Sequence, residues 1–214
     1  METDAALARR RSCRSYLAQP VDPAVLGAVL SAAGAAPRAG NTFAIDLVVL
    51  DTDDTVARYW DVTLPVGPRR DRFRWQGLLR APCLVLVVVD PESYFRRYSQ
   101  PDKVSTGLGV AAERWPVPYW WVDAGGAITA ILLAATSAGL GSLLFGAFAH
   151  EPAVLAAFGV PASRRLVGGF ALGHVDPPRD RRDGPGASAP RGRPSVEDHV
   201  HRGHWSVPGE VAPG

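Results

Sequence analysis

Apolar and polar residues follow two periodicities along the chain, and the switches between them mark out helices and strands. Asp22-Pro23 offers a capping side chain followed by proline at the first helical position. Val25, Leu26, Val29, Leu30 and Ala33 then recur on one face, which predicts a helix ending near Gly34. Asp46 to Leu50 has the make-up of a short buried strand. Cys83 to Val89 is stronger, an unbroken apolar run closed by the turn signal Asp90-Pro91. A strand with no polar side needs cover on both faces. A long helix is expected from about Asp123, taken as its N-cap, through Ile128, Ile131, Leu132 and Ala135 to Gly139, with Gly125, Gly126, Ala127 and Ala130 permitting close packing. Ser142 to Gly146 reads as a strand, Glu151-Pro152 opens a short helix ending at Gly159, and Leu166 to Leu172 is a further strand. The alternation predicts a mixed α/β sandwich.

Two stretches break this rhythm. Residues 92–121 hold Trp115, Trp120 and Trp121 among prolines and charges, and are expected to form a loop or short helices over the core, a candidate lid. Residues 176–190 are dense in Pro, Gly, Asp and Arg and are expected to be a flexible tether, mobile or extended. Pro194 to Trp205 regains apolar and aromatic residues, as an arm docking on a specific surface would, a partner subunit being one such surface. The organisation expected is a core over 1–175, a tether over 176–190 and an arm over 191–214.

Composition narrows the function. With 214 residues, 47% of them hydrophobic, the chain can bury one substantial core. Its longest apolar run falls far short of the ~20 residues that span a bilayer, and its first residues carry charge instead of a signal-peptide core, so a cytoplasmic location without membrane association is expected. Cys13 and Cys83 have no metal-ligand spacing and are expected to be free thiols. A net charge of +2 is too small for a nucleic-acid binder that neutralises many phosphates. The arginines, however, are unevenly placed.

Arg9-Arg10-Arg11-Ser12-Cys13-Arg14 gathers several guanidinium groups around one hydroxyl, a good receptor for a phosphate monoester because arginine brings forked donors and permanent charge. Taken alone, it reads as a solvated basic face. Arg191-Gly192-Arg193-Pro194, just after the expected tether, could fold back and complete a cage around the same dianion. In Ala36-Pro37-Arg38-Ala39-Gly40-Asn41-Thr42, small residues let backbone approach a planar ring, and Asn41 can both give and accept hydrogen bonds at the edge of a heterocycle such as a flavin. Gly139-Leu140-Gly141-Ser142 is no phosphate loop, but Leu144, Phe145 and Gly146 beyond it could border such a ring.

In order and spacing these elements resemble the nitroreductase family of FMN enzymes. The Arg-x-Ser-x-Arg/Lys-x-aromatic opening appears as Arg10, Ser12, Arg14 and Tyr16, and the Ala-Pro-Ser-x-x-Asn-Thr motif is matched by Ala36, Pro37, Asn41 and Thr42. Ala81-Pro82, the Asp123 helix, Gly139-Leu140-Gly141, Leu172-Gly173 and Arg191-x-Arg193-Pro194 follow in the family's order. The resemblance implies an α+β fold: an α/β/α sandwich with a mixed, mainly antiparallel central sheet, assembled as an intertwined homodimer with exchanged terminal arms and FMN at the subunit interface. It implies that Arg10, Ser12, Arg191 and Arg193, with Arg11 beside them, hold the phosphate and ribityl chain. Arg14 would be the catalytic cation at the flavin pyrimidine, and Pro37, Arg38 and Asn41 would reach the ring from the other subunit. Arg74 or Gln76 would supply a further polar contact, and Leu144, Phe145 and Gly146 the ring's border. No metal is implied.

Some positions depart from the family's pattern. Arg38 stands where serine is usual, Phe43-Ala44-Ile45 replaces Gln-Pro-Trp, and Thr129-Ala130 replaces a Gln/Asn pair. Three functions stay open: an NADH- or NADPH-dependent reductase of nitroaromatic, quinone or enone-like acceptors; an FMN-dependent oxidase or dehydrogenase that desaturates a natural-product-type substrate with oxygen as acceptor; or a flavin-sequestering protein with little turnover. Trp115, Tyr119, Trp120 and Trp121 are expected to be core or interface anchors rather than ligand contacts, and Trp60 and Trp75 have still less reason to lie near the ring. His199, His201 and His204 have metal-like spacing without supporting ligands, and His150 and His174 are expected in loops.

Overall fold

The computed structural model describes residues 2–183, 192, 194–203 and 205, with backbone alone for 181–183. They fall into two units, Met1–Asp183 and Gly184–Gly214. In the first, the described strands β1 (Ile45–Leu50), β2 (Cys83–Val89), β3 (Gly141–Phe145) and β4 (Arg165–Gly173) form one sheet in the order β1-β2-β4-β3, each neighbouring pair antiparallel. Among the described residues, parallel pairing is limited to an isolated bridge from Ser12 to Ser142.

The apolar run of β2 dictates the layers. Because side chains alternate along a strand, Cys83, Val85, Val87 and Val89 face one way and Leu84, Leu86 and Val88 the other. The first set packs under helices α2 (Pro23–Ser31) and α6 (Tyr119–Ser137), with Leu26, Val29, Ile128 and Ile131 completing that core. The second packs under α3 (Asp53–Thr63) and α7 (Glu151–Ala157), through Tyr59, Trp60, Val154 and Leu155, and under Tyr16. Helix α2 begins as the sequence predicts, with Asp22 Oδ1 accepting the amides of Ala24 and Val25. The short helices α1 (Thr3–Arg9), α4 (Pro68–Asp71), α5 (Pro91–Tyr98) and α8 (Pro177–Asp183) complete the unit.

Two expectations are corrected, the start of the long helix and the tether. Helix α6 starts at Tyr119, a turn before Asp123, because Trp120 is already buried against Tyr94 and Phe95. Asp123 is not an N-cap; it is 5% exposed inside the helix and serves another purpose, described below. Residues 92–121 form short helices and loops over the core, as expected, beginning in α5, and Tyr94, Trp115 and Trp120 anchor them by burial, Trp115 and Trp120 packing around the fully buried Tyr94. The tether expected from 176 is helical through Asp183, held by ionic contacts in place of apolar burial. Asp180 accepts the Arg14 amide at 2.8 Å and pairs with the Arg11 guanidinium, while Arg80 and Arg179 flank Asp176. Hydrophobic patterning is blind to such an anchor.

In the second unit, Ser195 donates its amide to Asp198 Oδ2, Val200 donates to the Val196 carbonyl, and the His201 and Trp205 rings lie 4.2 Å apart. Arg191, Arg193 and His204 lie outside the described residues. Among the described residues no helix is long and apolar enough to cross a membrane.

Asp90, 4% exposed, joins α5 to the start of β4: Ser93 Oγ and Arg96 donate to its carboxylate, and Arg164 pairs with it at 2.7 Å. Burial raises its carboxyl pKa, but the hydrogen bonds from Ser93 and Arg96 and the charges of Arg164 and Arg96 outweigh this and hold it below the usual range. Its contribution to stability is therefore complete above the unfolded pKa of ~4 and is lost as pH falls through the lower folded value. Urea denaturation across pH should show Asp90→Asn less stable than the parent at pH 7, with the gap narrowing in acid; a gap constant down to pH 3 would contradict this role.

Candidate functional site

The segment from Arg10 to Tyr16 leaves α1 and runs beside β3. Cys13 donates its amide to the Ser142 carbonyl at 2.9 Å, and the Tyr16 hydroxyl folds back on the Cys13 carbonyl at 3.0 Å. Glycine is needed opposite: a Cβ on Gly141 would come within 2.8 Å of Cys13 Sγ and Val175. Alternation along this extended run turns Cys13 into the core and leaves Ser12 and Arg14 half-buried on the other side.

Arg14 thereby reaches the wall of a cleft of about 670 Å³, within the size range of small-molecule sites. Tyr59, Trp60 and Thr63 of α3 form one side, Phe73 and Trp75 of the loop after α4 another, and the chain from Leu143 to His150 a third. The floor is aromatic, with Phe145 lying 5.7 Å from Tyr59 and 6.0 Å from Trp60, ring to ring. The guanidinium of Arg14 stacks on Trp75, its Cζ 5.2 Å from the ring centroid, and donates to the Ser12 carbonyl at 3.3 Å. Arg14 Nε and the indole nitrogens of Trp60 and Trp75 are buried without a hydrogen-bond partner. An apolar cleft with a fixed cation and unmatched donors in its lining residues suits a flat ligand whose edge is rich in acceptors.

The other expected residues are spread more widely. Leu144, Phe145 and Gly146 line the cleft. Arg10 and Ser12 are half-buried along the same segment. Arg11 is committed to Asp180, a partner unseen in the sequence because α8 brings it from 169 positions away. Arg74 is exposed, its guanidinium 5.8 Å from the Trp75 ring. Gln76 is exposed, and its amide donates to the carbonyls of Arg70, Asp71 and Phe73, stapling its own loop.

Pro37, Arg38 and Asn41 do not line this cleft. Their loop is fixed from below: Asp123 Oδ2 accepts the Ala39 amide and the Tyr94 hydroxyl, each at 2.8 Å, and Arg97 donates to the Gly40 carbonyl at 2.8 Å. Arg38 donates to Asn41 Oδ1 and lies 4.4 Å over the exposed Phe43 ring. Gly40 and Asn41 both have positive φ, a conformation that glycine and asparagine adopt most readily. The loop presents a set shape to the outside.

Trp60 and Trp75 line the cleft, Trp60 as part of the core as well, whereas Trp115 and Trp120 are core anchors as expected. Phe73, Arg69, Phe148 and His150 also line it and were not singled out for it.

Residues 7–174 match the model of the family described as the nitroreductase family. The chain is 32% identical over 223 aligned positions to a 4-nitrobenzoate reductase from a Nocardioides strain, covering 92% of this chain and 88% of that protein. Among solved structures it is similar to nitroreductase A from Vibrio parahaemolyticus, at TM-score 0.67 and 22% identity over 96% of this chain and 78% of that one. It is similar also to the NADPH:FMN oxidoreductase from Vibrio harveyi, at 0.65 and 20% over 95% and 78%.

Burial pushes the Cys13 thiol up to about 11 and the Cys83 thiol up to about 12. At pH 8 roughly one Cys13 in a thousand would then be thiolate, the reactive form. Folded protein should give no prompt reaction with a disulfide reagent at pH 8, and two thiols after denaturation. A fast native thiol would contradict the packing of the Arg10 to Tyr16 segment on β3.

Proposed function

The chain belongs to the nitroreductase family, and from that premise we propose that it holds FMN in the cleft beside Arg14 and passes hydride from NADH or NADPH to a small organic acceptor, a nitroaromatic first among them. The observation that carries this reading is the Arg14 guanidinium, fixed by Trp75 and the Ser12 carbonyl at the wall of an aromatic cleft.

The residues present fit the group. The buried, unmatched Nε of Arg14 and the flat wall of Leu144, Phe145 and Gly146 suit a heterocycle with acceptors along one edge. FMN, when bound, supplies the hydride chemistry, and its reduction places negative charge on the N1 and O2 edge. Arg14 stands ready as a permanent counter-charge, and because Trp75 already orients it, little reorganisation accompanies the charging of that edge. Tyr59, Trp60 and Phe145 exclude water from beneath, which strengthens the electrostatics above. Arg10 and Ser12, half-buried on the segment that carries Arg14, are assigned to the phosphate. The acceptor class is supported by the 4-nitrobenzoate reductase relative, and the electron donor by the NADPH:FMN oxidoreductase neighbour.

A homodimer completes the site in this reading. Pro37, Arg38 and Asn41 sit on a pinned, outward loop away from their own cleft, as a segment serving a second copy would.

Anaerobic mixing of the FMN-loaded protein with NADH and NADPH is the test. Bleaching of the flavin absorbance by either nicotinamide, followed by recovery on adding 4-nitrobenzoate, is expected; a flavin that neither nicotinamide bleaches would refute the reductase. Arg14→Ala should slow the bleaching on the order of 100-fold, as loss of one preorganised charge-stabilising group does, while FMN affinity changes less. An unaltered bleaching rate would remove Arg14 from this role.

A further inference from the structure

Phe148 is the least expected residue on the lip of the cleft. It is 88% exposed, the largest exposure among the large apolar side chains described, and so contributes little to the core. Its backbone has φ +44°, left-handed, a conformation that bulky side chains rarely adopt and that persists only where the surroundings enforce it. The chain enforces it here through the turn Phe148–His150 that joins β3 to α7, with the His150 amide bonded to the Ala147 carbonyl at 2.8 Å. The ring does not extend away from the protein. It reaches back toward Gly146, where an added Cβ would come within 2.6 Å of Phe148 Cζ.

An unfavourable backbone conformation and an exposed aromatic ring thus converge on the lip of one cleft. Packing does not account for them, because the neighbouring Ala147 and Val154 supply the burial at this corner. We infer that Phe148 is the specificity-determining residue for the acceptor: its ring forms the outer aromatic face against which a flat aromatic acceptor lies in the cleft. This rests on the function proposed above and adds to it the acceptor's shape and the residue that selects it. Rings in contact prefer offset or edge-on arrangements, and such contacts change affinity by several-fold to about 10-fold. An acceptor with no aromatic ring gains nothing from the contact.

The test is steady-state reduction by FMN-loaded wild type, Phe148→Ala, Phe148→Leu and Phe148→Tyr, each with NADPH or NADH and two acceptors, 4-nitrobenzoate and ferricyanide. Expected is a fall of about 3- to 10-fold in the ratio of kcat/KM for 4-nitrobenzoate to that for ferricyanide in the Ala and Leu variants, carried mainly by KM for the nitroaromatic, with Phe148→Tyr restoring the ratio. An unchanged ratio would overturn the inference. So would a Phe148→Ala protein that sediments at a lower mass than wild type, since the ring would then belong to a subunit interface. Wild type that reduces neither acceptor refutes the proposed function itself, and the inference with it.

Discussion

A strand with no polar residue cannot leave either face to water, and β2 places that demand at the centre of the sheet. One face is met by α2 and α6. The other is met by a more varied set: α3, α7 and the extended Arg10 to Tyr16 segment, whose Tyr16 is fully buried on it. That second cover gives out at the end of β3, where Leu144 is 47% exposed and the aromatic residues of α3 become the floor of a cleft. The cleft and the core thus share side chains, with Tyr59, Trp60 and Phe145 belonging to both. A site built this way is rigid without dedicated scaffolding.

Buried carboxylates do the remaining placement. Asp180 holds the Arg14 amide, Asp123 holds the Ala39 amide, and Asp90 ties α5 to the approach of β4. In the first two cases a side chain distant in sequence fixes the backbone of a motif, and each motif can then present its own side chains outward. A buried carboxylate that accepts hydrogen bonds and faces a cation is well compensated, and removing its partners would leave an uncompensated charge. Loop conformation is set in this way without large apolar burial.

Much of this was legible in the sequence. The Asp22-Pro23 cap, the β2 run and the Glu151-Pro152 helix start all appear where local chemistry places them, because each depends on neighbours in the chain. Helix α3 was not assigned: its N-cap Thr52 pairs with Thr55 in place of the usual Glu or Gln, and its apolar content is confined to a few positions. Helix α8 was missed because Asp180 and its arginine partners carry no apolar signal. Asp123 looked like a cap because Asp at a helix start usually is one, and its bonds to Ala39 and Tyr94 exist only in three dimensions. For the candidate site, motif order pointed to Arg14 and to Leu144 to Gly146, which line the cleft, but Trp75, Phe73 and Phe148 came from folding alone, since aromatic residues in a loop have no periodicity to betray their direction.

One placement is decisive: Arg14, oriented by the Trp75 indole at the wall of an aromatic cleft, where FMN is proposed to bind. The most direct measurement is a crystal structure of the protein grown with FMN. Electron density for the ring system against Leu144 to Gly146, with the Arg14 guanidinium at its pyrimidine edge, is the predicted result. Density for the ring elsewhere, or an empty cleft in crystals soaked at saturating FMN, would contradict it.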